Sequence, residues 1–400
     1  MSKPLMRIPY TEVFPPPHII PSSAKTFDGA VDALKEFLTH PSPRGLPAST
    51  VLLSGAGLSV ASGLADYRGV NGTYRVNKTY RPIWYHEFVT RHEHRKRYWA
   101  RSFLGWTTLQ KGHPNAGHLA IRDLGKLGLV SSVITQNVDS FHPRAHPDVP
   151  TLELHGYLRS TVCTSCRHEF PRDVFQDELA RLNPEWAALL ARAVASGALE
   201  SENPDERRAK GIRTNPDGDV DVPNAPYTTF RYPPCPRCLA EPPVLADGTR
   251  GVVEVDAEGA WKPPSNAGIL KPSVVMFGES IADHVKRSAE AAIDDAGKLL
   301  IAATSLATYS AWRIAKRAKD RGMPVAILNI GGVRGEDVFF AGLDPLQKGS
   351  QGVRAEMPTE KLLPAVVEEL RRGSSNDSTI RDIATPLERD GSAMFKDLLS

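Results

Sequence analysis

Residues Val51-Leu52-Leu53-Ser54-Gly55-Ala56-Gly57 decide the fold, because they join an apolar run directly to a glycine-rich turn. A short apolar run of this kind is typical of a strand that is buried in a parallel sheet. A Gly-rich turn after such a strand brings backbone N–H groups close to the phosphates of a dinucleotide. The full GxGxxG pattern is absent, since Val60 stands at its third glycine position. A plain tight turn is therefore the alternative.

Further apolar runs end in small or polar residues in the same way. They cover residues 129–134, 274–277, 299–302 and 325–328. A helix is expected before the first run, at 27–39, and further helices between the later runs, at 283–296 and 310–321. This alternation predicts an α/β fold with a Rossmann-like parallel sheet. Ligands bind such a sheet at the carboxyl ends of its strands, so the polar residues after each run are candidate site residues.

The composition limits the classes of protein to consider. The chain has 400 residues, of which 41% are hydrophobic and 24% are charged, so it can bury a sizeable core. Its length suits two or three domains, or one large domain with insertions. The formal net charge of +3 lacks the basic excess of a dedicated nucleic-acid-binding protein. Nucleic acid is therefore not an expected partner. No run of 18 apolar residues occurs, so a membrane is not an expected partner either.

The two ends of the chain differ in composition from the middle. Residues 1–26 form an N-terminal extension with three basic residues and one acidic residue, as in a mitochondrial presequence. The run Phe14-Pro15-Pro16-Pro17 argues against a presequence, because proline interrupts an amphipathic helix. The extension alone leaves these two interpretations balanced. Residues 371–400 are polar and poor in aromatics, which predicts a disordered tail.

Four cysteines occur in two close pairs, Cys163 with Cys166 and Cys235 with Cys238. A secreted disulfide scaffold would be shorter and richer in cysteine. Two CxxC pairs supply the four thiolates of a tetrahedral structural zinc site, which has no open position for water. A redox pair is the alternative, and the long separation of the two pairs makes their spacing less specific.

With these pieces in place, the sequence resembles the sirtuins, the NAD-dependent protein deacylases. The matching segments follow the family order: Gly55-Ala56-Gly57-Leu58-Ser59, Ser62-Gly63-Leu64-Ala65-Asp66-Tyr67-Arg68, Gln136-Asn137-Val138-Asp139, Leu154-His155-Gly156, the two cysteine pairs, Lys271 to Glu279, Thr304-Ser305-Leu306 and Asn329-Ile330-Gly331. Each motif is modest by itself, and their order makes the resemblance specific over residues 27–370.

The resemblance implies a division of the chain into modules. Residues 27–370 form the catalytic domain, whose Rossmann-like large part comprises 27–72, 119–156 and 266–370. The expected insertions are a helical one at 73–118 and a zinc-binding module at 157–265. Within the zinc module, 200–233 and 240–265 are expected to be loop-like.

The resemblance also implies a role for each matching residue. His155 is the expected general base, with Asn137 and Asp139 holding the carboxamide of NAD. Further NAD contacts are expected from Gly55, Ala56, Gly57, Ser59, Asp66, Tyr67, Arg68, Gln136, Ala303, Thr304, Ser305, Asn329, Ile330 and Gly331. Phe277, Gly278 and Glu279 are the expected edge for the substrate peptide. His142 is expected to be structural or to line the pocket, and the last cofactor contact is either Val353 or Thr359.

Finer features resemble the class II, sirtuin-4 branch. The stretch Arg97 to Trp106 matches that branch, and within it Arg101 is a candidate partner for an acidic acyl group. Two substitutions depart from the family pattern: Ala65 replaces a proline of the cofactor loop, and Ala303 replaces a glycine. The segment 239–270 is also longer than in that branch.

The expected activity is NAD-dependent deacylation of protein lysine, which yields nicotinamide, O-acyl-ADP-ribose and free lysine. Its cofactors are NAD and one zinc ion held by four cysteines, and its partner is an acyl-lysine protein. Two alternatives stay open: a protein mono-ADP-ribosyltransferase, and a low-turnover NAD sensor that the two alanine substitutions favour. A dehydrogenase would leave the cysteine pairs unexplained. The mitochondrial matrix is the expected location, with the nucleus or cytoplasm as the alternative.

Overall fold

A computed structural model describes residues 14–77, 80–197, 213–214, 218–222 and 225–374. The strands are β1 Thr50–Ser54, β2 Val130–Thr135, β3 Thr151–Glu153, β4 Gly156–Cys163, β5 Glu169–Pro171, β6 Arg213–Thr214, β7 Val220–Asp221, β8 Glu254–Val255, β9 Trp261–Lys262, β10 Leu270–Val274, β11 Lys298–Ala302, β12 Val325–Leu328 and β13 Gly352–Ala355. The α-helices are Phe27–Thr39, Thr73–Val76, Tyr85–Thr90, His92–Lys111, Ala116–Lys126, Phe141–Ala145, Arg172–Leu182, Pro184–Ala195, Pro236–Ala240, Asp283–Asp294, Tyr309–Asp320, Glu336–Phe340 and Thr359–Ser374.

Six parallel strands form the main sheet in the order β13-β12-β11-β1-β2-β3. Every residue of β1 and of β11 is buried, because both strands are central and helices cover both faces of the sheet. Helices Phe27–Thr39, Ala116–Lys126 and Thr359–Ser374 pack on one face around Leu52. Helices Asp283–Asp294 and Tyr309–Asp320 pack on the other face. The predicted α/β class is confirmed.

A smaller module stands beside this sheet. It contains the antiparallel sheet β10-β4-β5 and a core of its own, in which the ring centroids of Trp99 and Phe175 lie 4.5 Å apart with the rings tilted by 58°. Trp99 comes from helix His92–Lys111 and Phe175 from helix Arg172–Leu182. The aromatic stretch before residue 118 and the cysteine region therefore share one core. None of the described helices is long and apolar enough to cross a membrane.

Several elements differ from the sequence-based expectation. The run 274–277 is wrong as a parallel strand: β10 ends at Val274 and pairs antiparallel with β4. Strands β3 and β13 were not predicted from the sequence, because both are short and include polar residues. Helix Ala116–Lys126 crosses the expected module boundary at 118. Helix Thr359–Ser374 corrects the start of the expected tail, and residues 375–400 and 1–13 lie outside the described ranges.

The four cysteines of the smaller module come together around one point. Their sulfur atoms all lie within 4.8 Å of one another, with Cys163 Sγ 3.6 Å from Cys238 Sγ and Cys166 Sγ 3.7 Å from Cys235 Sγ. A tetrahedron with Zn–S bonds of ~2.3 Å places its sulfurs about 3.8 Å apart, whereas a disulfide needs about 2 Å. These distances therefore fit a structural zinc ion and exclude a formed disulfide.

We expect Cys163→Ser to remove zinc and to lower the melting temperature by roughly 5 °C or more. The melting temperature falls because Cys163, Cys235 and Cys238 also belong to the core of this module. Elemental analysis should find one zinc per chain in the unaltered protein. The matched control is His168→Ala, an exposed neighbour outside the cysteine cluster. Loss of zinc in that control, or its retention after Cys163→Ser, would contradict the assignment.

Three fully buried histidines lie beneath the carboxyl end of the main sheet. His142 Nδ1 is 2.8 Å from His146 Nε2, and its Nε2 is 2.7 Å from Ser54 Oγ at the end of β1. The His118 ring stands 5.0 Å from that of His142. Burial lowers the pKa of His118 to about 3, and burial lowers those of His142 and His146 as well. The cluster is therefore neutral at physiological pH.

Stability should fall as the pH drops below about 6.5, since the unfolded state then binds protons that the buried rings do not. A histidine that stays neutral contributes a loss of roughly 2 kcal/mol between pH 7.5 and pH 5. We expect His142→Gln to reduce that loss by about this amount in denaturant titrations, while the exposed His284→Gln does not. Equal pH slopes for the two variants would show that His142 accepts a proton in the folded state.

Candidate functional site

The carboxyl ends of β1, β2, β11 and β12 open into one cleft of about 1270 Å³. A pocket for an ordinary small ligand has ~300–1000 Å³, so this cleft has room for a dinucleotide and a substrate side chain. Nearly all residues expected from the sequence line it: Ala56, Gly57, Ser59, Asp66, Tyr67, Arg68, Gln136, Asn137, Asp139, His155, Phe277, Gly278, Glu279, Ala303, Thr304, Ser305, Asn329, Ile330 and Gly331. Gly55 lies at the base of the turn, against Thr304.

The glycine-rich turn after β1 is packed against the turn after β11. The N–H of Gly55 donates to the Ala302 carbonyl and that of Gly57 to the Ala303 carbonyl, each at 3.2 Å. A Cβ atom at Gly55 would lie 2.6 Å from the Thr304 Cβ, so only glycine fits there. The glycines thus bring two strand ends together and leave backbone at the floor of the cleft.

Ala303 adopts a left-handed backbone conformation with φ of 53°. This conformation costs an L-residue about 1–2 kcal/mol relative to the right-handed one, whereas glycine adopts it freely. The geometry thus shows why glycine would suit this position better than the alanine that this chain carries. In this chain the strain is held in place by the hydrogen bonds that join the two turns.

Asn137, Ser59 and Asp139 form a connected polar group on the wall of the cleft. Asn137 Nδ2 donates to Ser59 Oγ at 3.2 Å, and Ser59 Oγ donates to Asp139 Oδ2 at 2.7 Å. The other carboxylate oxygen of Asp139 accepts from the Phe141 N–H at 2.9 Å. Burial raises the pKa of Asp139. The amide oxygen of Asn137 and the carboxyl of Asp139 therefore have fixed directions before any ligand arrives.

A chain of hydroxyl groups connects this polar group to the buried histidines. Ser54 Oγ donates to Thr135 Oγ1 at 2.8 Å, and Thr135 Oγ1 accepts the backbone N–H of Asn137 at 3.1 Å. His142 contacts the same Ser54 hydroxyl. The structure thus places His142 in the core, where it supports the loop that carries Asn137.

His155 follows β3 and has both ring nitrogens engaged. Its Nδ1 lies 3.1 Å from the Gln136 carbonyl, which can only accept, so Nδ1 carries the proton. Its Nε2 is then the acceptor, and it lies 2.9 Å from Ser310 Oγ. Burial lowers the pKa of His155 to about 4. The ring is therefore neutral at physiological pH, with Nε2 available as a base.

Sequence reasoning did not name Ser310 or Thr308. Thr308 caps helix Tyr309–Asp320 and donates to Gln136 Oε1 at 3.0 Å, while Gln136 Nε2 donates to Thr304 Oγ1 at 2.8 Å. These bonds join the turn after β11 to the loop beside His155. A threonine that starts a helix just after a buried strand is the signal that would have identified Thr308.

The loop between Gly63 and Gly72 closes one side of the cleft. Asp66 Oδ2 accepts the N–H of Gly69 at 3.0 Å, and the Arg68 guanidinium stands 5.0 Å above the Tyr74 ring. Burial raises the pKa of Asp66. Asp66 thus shapes the loop locally, and Arg68 borders the cleft on an aromatic support.

The Phe277–Glu279 segment is fixed by contacts within the chain. The Phe277 carbonyl accepts the Tyr85 N–H at 2.8 Å, and the Phe277 ring contacts Trp84 edge-on at 6.2 Å. Glu279 pairs with buried Lys271 at 3.2 Å. A peptide that adds along this edge must use other backbone groups than the Phe277 carbonyl.

Arg101 reaches the cleft from helix His92–Lys111 and is already paired. Its Nη2 lies 2.7 Å from Asp219 Oδ2, and its Nε lies 4.0 Å from Asp221 Oδ1. Arg101 and Asp219 are only 3% and 5% exposed.

Of the two candidates for the last cofactor contact, Val353 is buried within β13 and Thr359 is buried at a helix start. Neither lies among the described residues that line the cleft.

Comparisons with known proteins agree with this geometry. The Sir2 family model matches residues 55–310. The chain is 40% identical over 297 residues to the NAD-dependent protein deacylase SIR4 of Batrachochytrium dendrobatidis, with 72% of this chain and 83% of that protein covered. It is 30% identical over 325 residues to the mitochondrial NAD-dependent protein lipoamidase sirtuin-4 of Bos taurus, covering 81% of this chain and 85% of that protein.

A solved Sir2 structure, determined for the mechanism and regulation of Sir2 enzymes, has the same fold as this chain, with a TM-score of 0.53 and 22% sequence identity. The alignment covers 87% of this chain and 99% of that one. The order of the motifs, the six-stranded parallel sheet and the family match therefore agree, and the chain belongs to the Sir2 family, the sirtuins.

Proposed function

We propose that this protein is an NAD-dependent protein-lysine deacylase. The observation that carries the proposal is the arrangement of His155 and Asn137 on one wall of the cleft, beside the Gly55–Gly57 turn. Relatives at 40% and 30% identity are named as NAD-dependent deacylase and lipoamidase, which supports the same reaction type. Mono-ADP-ribosyl transfer is not favoured by these names.

The sheet order supports a proposed placement of NAD in the cleft. Strands β11, β12 and β13 lie on one side of β1, and β2 and β3 lie on the other. Dinucleotides bind across such a reversal of strand order, with the pyrophosphate at the turn after the first strand. Asn137 and His155 follow β2 and β3, so the nicotinamide half belongs on their side. Asn329 follows β12, where the adenosine half belongs.

Bound NAD supplies a ribose carbon from which nicotinamide departs and to which the acyl oxygen of the substrate adds. Asn137 and Asp139 offer an amide and a carboxyl that can orient the nicotinamide carboxamide. His155 Nε2 is unprotonated and can accept a proton from a ribose hydroxyl. The Ser310 hydroxyl lies 2.9 Å from that nitrogen, so it must turn away for a ribose hydroxyl to reach His155.

His155→Asn should lower deacylation by about 10²-fold or more, because asparagine keeps the polarity of the position without a basic nitrogen. The rate of deacylation is measured by mass spectrometry in the presence of NAD. The substrates are peptides that carry acetyl, crotonyl, succinyl, glutaryl, methylglutaryl or lipoyl lysine. His284→Asn, at an exposed helix position, is the control. Turnover of no peptide by the unaltered protein, with ADP-ribose attached to protein instead, would favour the transferase. NAD binding without either reaction would favour the low-turnover NAD sensor, the alternative that the substitutions at Ala65 and Ala303 suggested.

The pair of Arg101 and Asp219 sets the charge at the inner wall of the cleft. A free arginine would attract an acidic acyl group, as Arg101 was expected to do from the sequence. Asp219 at 2.7 Å and Asp221 at 4.0 Å already neutralise it. Neutral acyl chains are therefore the proposed substrates of the unaltered protein.

Replacing Asp219 with asparagine should raise the kcat/KM ratio of glutaryl-lysine over acetyl-lysine by roughly tenfold or more. Without the charge of Asp219, the ion pair that Arg101 keeps among the described residues is the longer one to Asp221, so Arg101 attracts an acyl carboxylate more strongly. A hydrogen bond to a charged group contributes about 1.5–3 kcal/mol. Asp221→Asn is the matched control, since its oxygen lies farther from Arg101. An unchanged ratio in Asp219→Asn would show that the acyl group does not reach Arg101.

The finer assignments are part of the same proposal. Likeness to the bovine sirtuin-4 supports the class II branch and the mitochondrial matrix, with the nucleus or cytoplasm as the alternative. The partner is an acylated lysine in a protein segment that lies along Phe277–Glu279. The division into modules stays part of the proposal, and the helical insertion at 73–118 is proposed to end before Ala116, where the next helix begins.

A further inference from the structure

A segment near the N-terminus, residues 14–20, lies against the far end of the cleft from His155. Phe14 is half-buried and lines the cleft together with Asn329, Ile330, Gly331 and Gly332. A Cβ atom at Gly332 would lie 2.1 Å from the Pro15 carbonyl oxygen and 2.7 Å from the Phe14 Cβ. The loop after β12 and this segment are therefore in direct contact, and glycine permits that approach.

Backbone pairing holds the segment in place. The Ile20 N–H donates to the Arg354 carbonyl at 3.3 Å, and the Arg354 N–H donates to the Ile20 carbonyl at 2.6 Å. The Ser22 N–H donates to the Pro345 carbonyl at 2.8 Å. Ile20 is 2% exposed and packs with the core on one face of the sheet. Phe14 therefore extends from an anchored piece of chain.

The side chain of Arg354 connects this anchor to the loop after β12. Its guanidinium donates to the carbonyls of Asn329 at 2.9 Å and Gly331 at 2.6 Å, and Glu336 neutralises it at 2.8 Å. One fully buried residue thus pairs with the segment through its backbone and shapes the cofactor loop through its side chain. Arg354 therefore connects the anchor at Ile20 to the loop that carries Asn329.

We infer that Phe14 forms part of the adenosine site and packs its ring on the purine of bound NAD. The inference rests on the proposed function, which places the adenosine half beside Asn329. An aromatic ring at the rim of a cleft suits a purine, because stacking of a base on an aromatic side chain contributes substantially to binding without requiring hydrogen bonds. Phe14 thereby belongs to the binding site, and residues 15–20 connect it to the core.

Phe14→Ala should raise the Kd for ADP-ribose and the KM for NAD by roughly fivefold or more. The kcat and the inhibition constant of nicotinamide should stay unchanged, because both report on the other end of the cleft. Calorimetry with ADP-ribose and steady-state kinetics on the full chain measure these values. Phe14→Tyr should restore binding, whereas Phe14→Leu, which keeps apolar bulk without the ring, should restore it only partly. Phe27→Ala, on a helix at 40% exposure, is the matched control.

The outcomes separate this inference from the proposed function. If the unaltered protein deacylates and Phe14→Ala binds ADP-ribose equally well or more tightly, the inference alone is wrong. Tighter binding would mean that the ring occupies the space of the base. If the unaltered protein neither binds ADP-ribose nor deacylates, the proposed function is wrong and this inference with it. Circular dichroism confirms that each variant is folded.

Discussion

The close approach of two strand-ending turns is the constraint on which the rest of the site depends. At the centre of the main sheet, the turn at Gly55 donates two backbone hydrogen bonds to the carbonyls of Ala302 and Ala303. Their contact leaves no room for a Cβ at Gly55 and holds Ala303 in a left-handed conformation. Because the strand order reverses at this point, the same contact creates the crevice into which both halves of a dinucleotide fit.

Polar contacts extend from that centre in both directions. On one side, Ser54 and Thr135 connect the end of β1 to the loop that carries Asn137, with the buried His142 below them. On the other side, Arg354 holds the carbonyls of the loop after β12. Buried polar groups need partners, so each of these networks also fixes the loop that it touches. The rigidity of the site thus comes from the core beneath it.

The smaller module contributes the wall opposite the glycine-rich turn. Its four cysteines lie at the sulfur separations of a tetrahedral metal site. Its core brings Arg101 to the cleft, where the acidic residues Asp219 and Asp221 accompany it. The charge on this part of the cleft wall is consequently a property of residues more than a hundred positions apart in the chain. No single motif contains that information.

The sequence by itself predicted strands β1, β2, β11 and β12 of the main sheet, its glycine-rich turn and the four-cysteine site, and its motifs singled out His155 and Asn137 as candidates, because local spacing and short motifs encode these features. Tertiary structure decided the rest. It moved the strand at 274–277 out of the parallel sheet, since β10 pairs with β4, and it brought Ser310 to His155 and Phe14 to Asn329. It also paired Arg101 with Asp219. Such contacts join distant segments, and they follow from packing and charge in three dimensions, which no local pattern records.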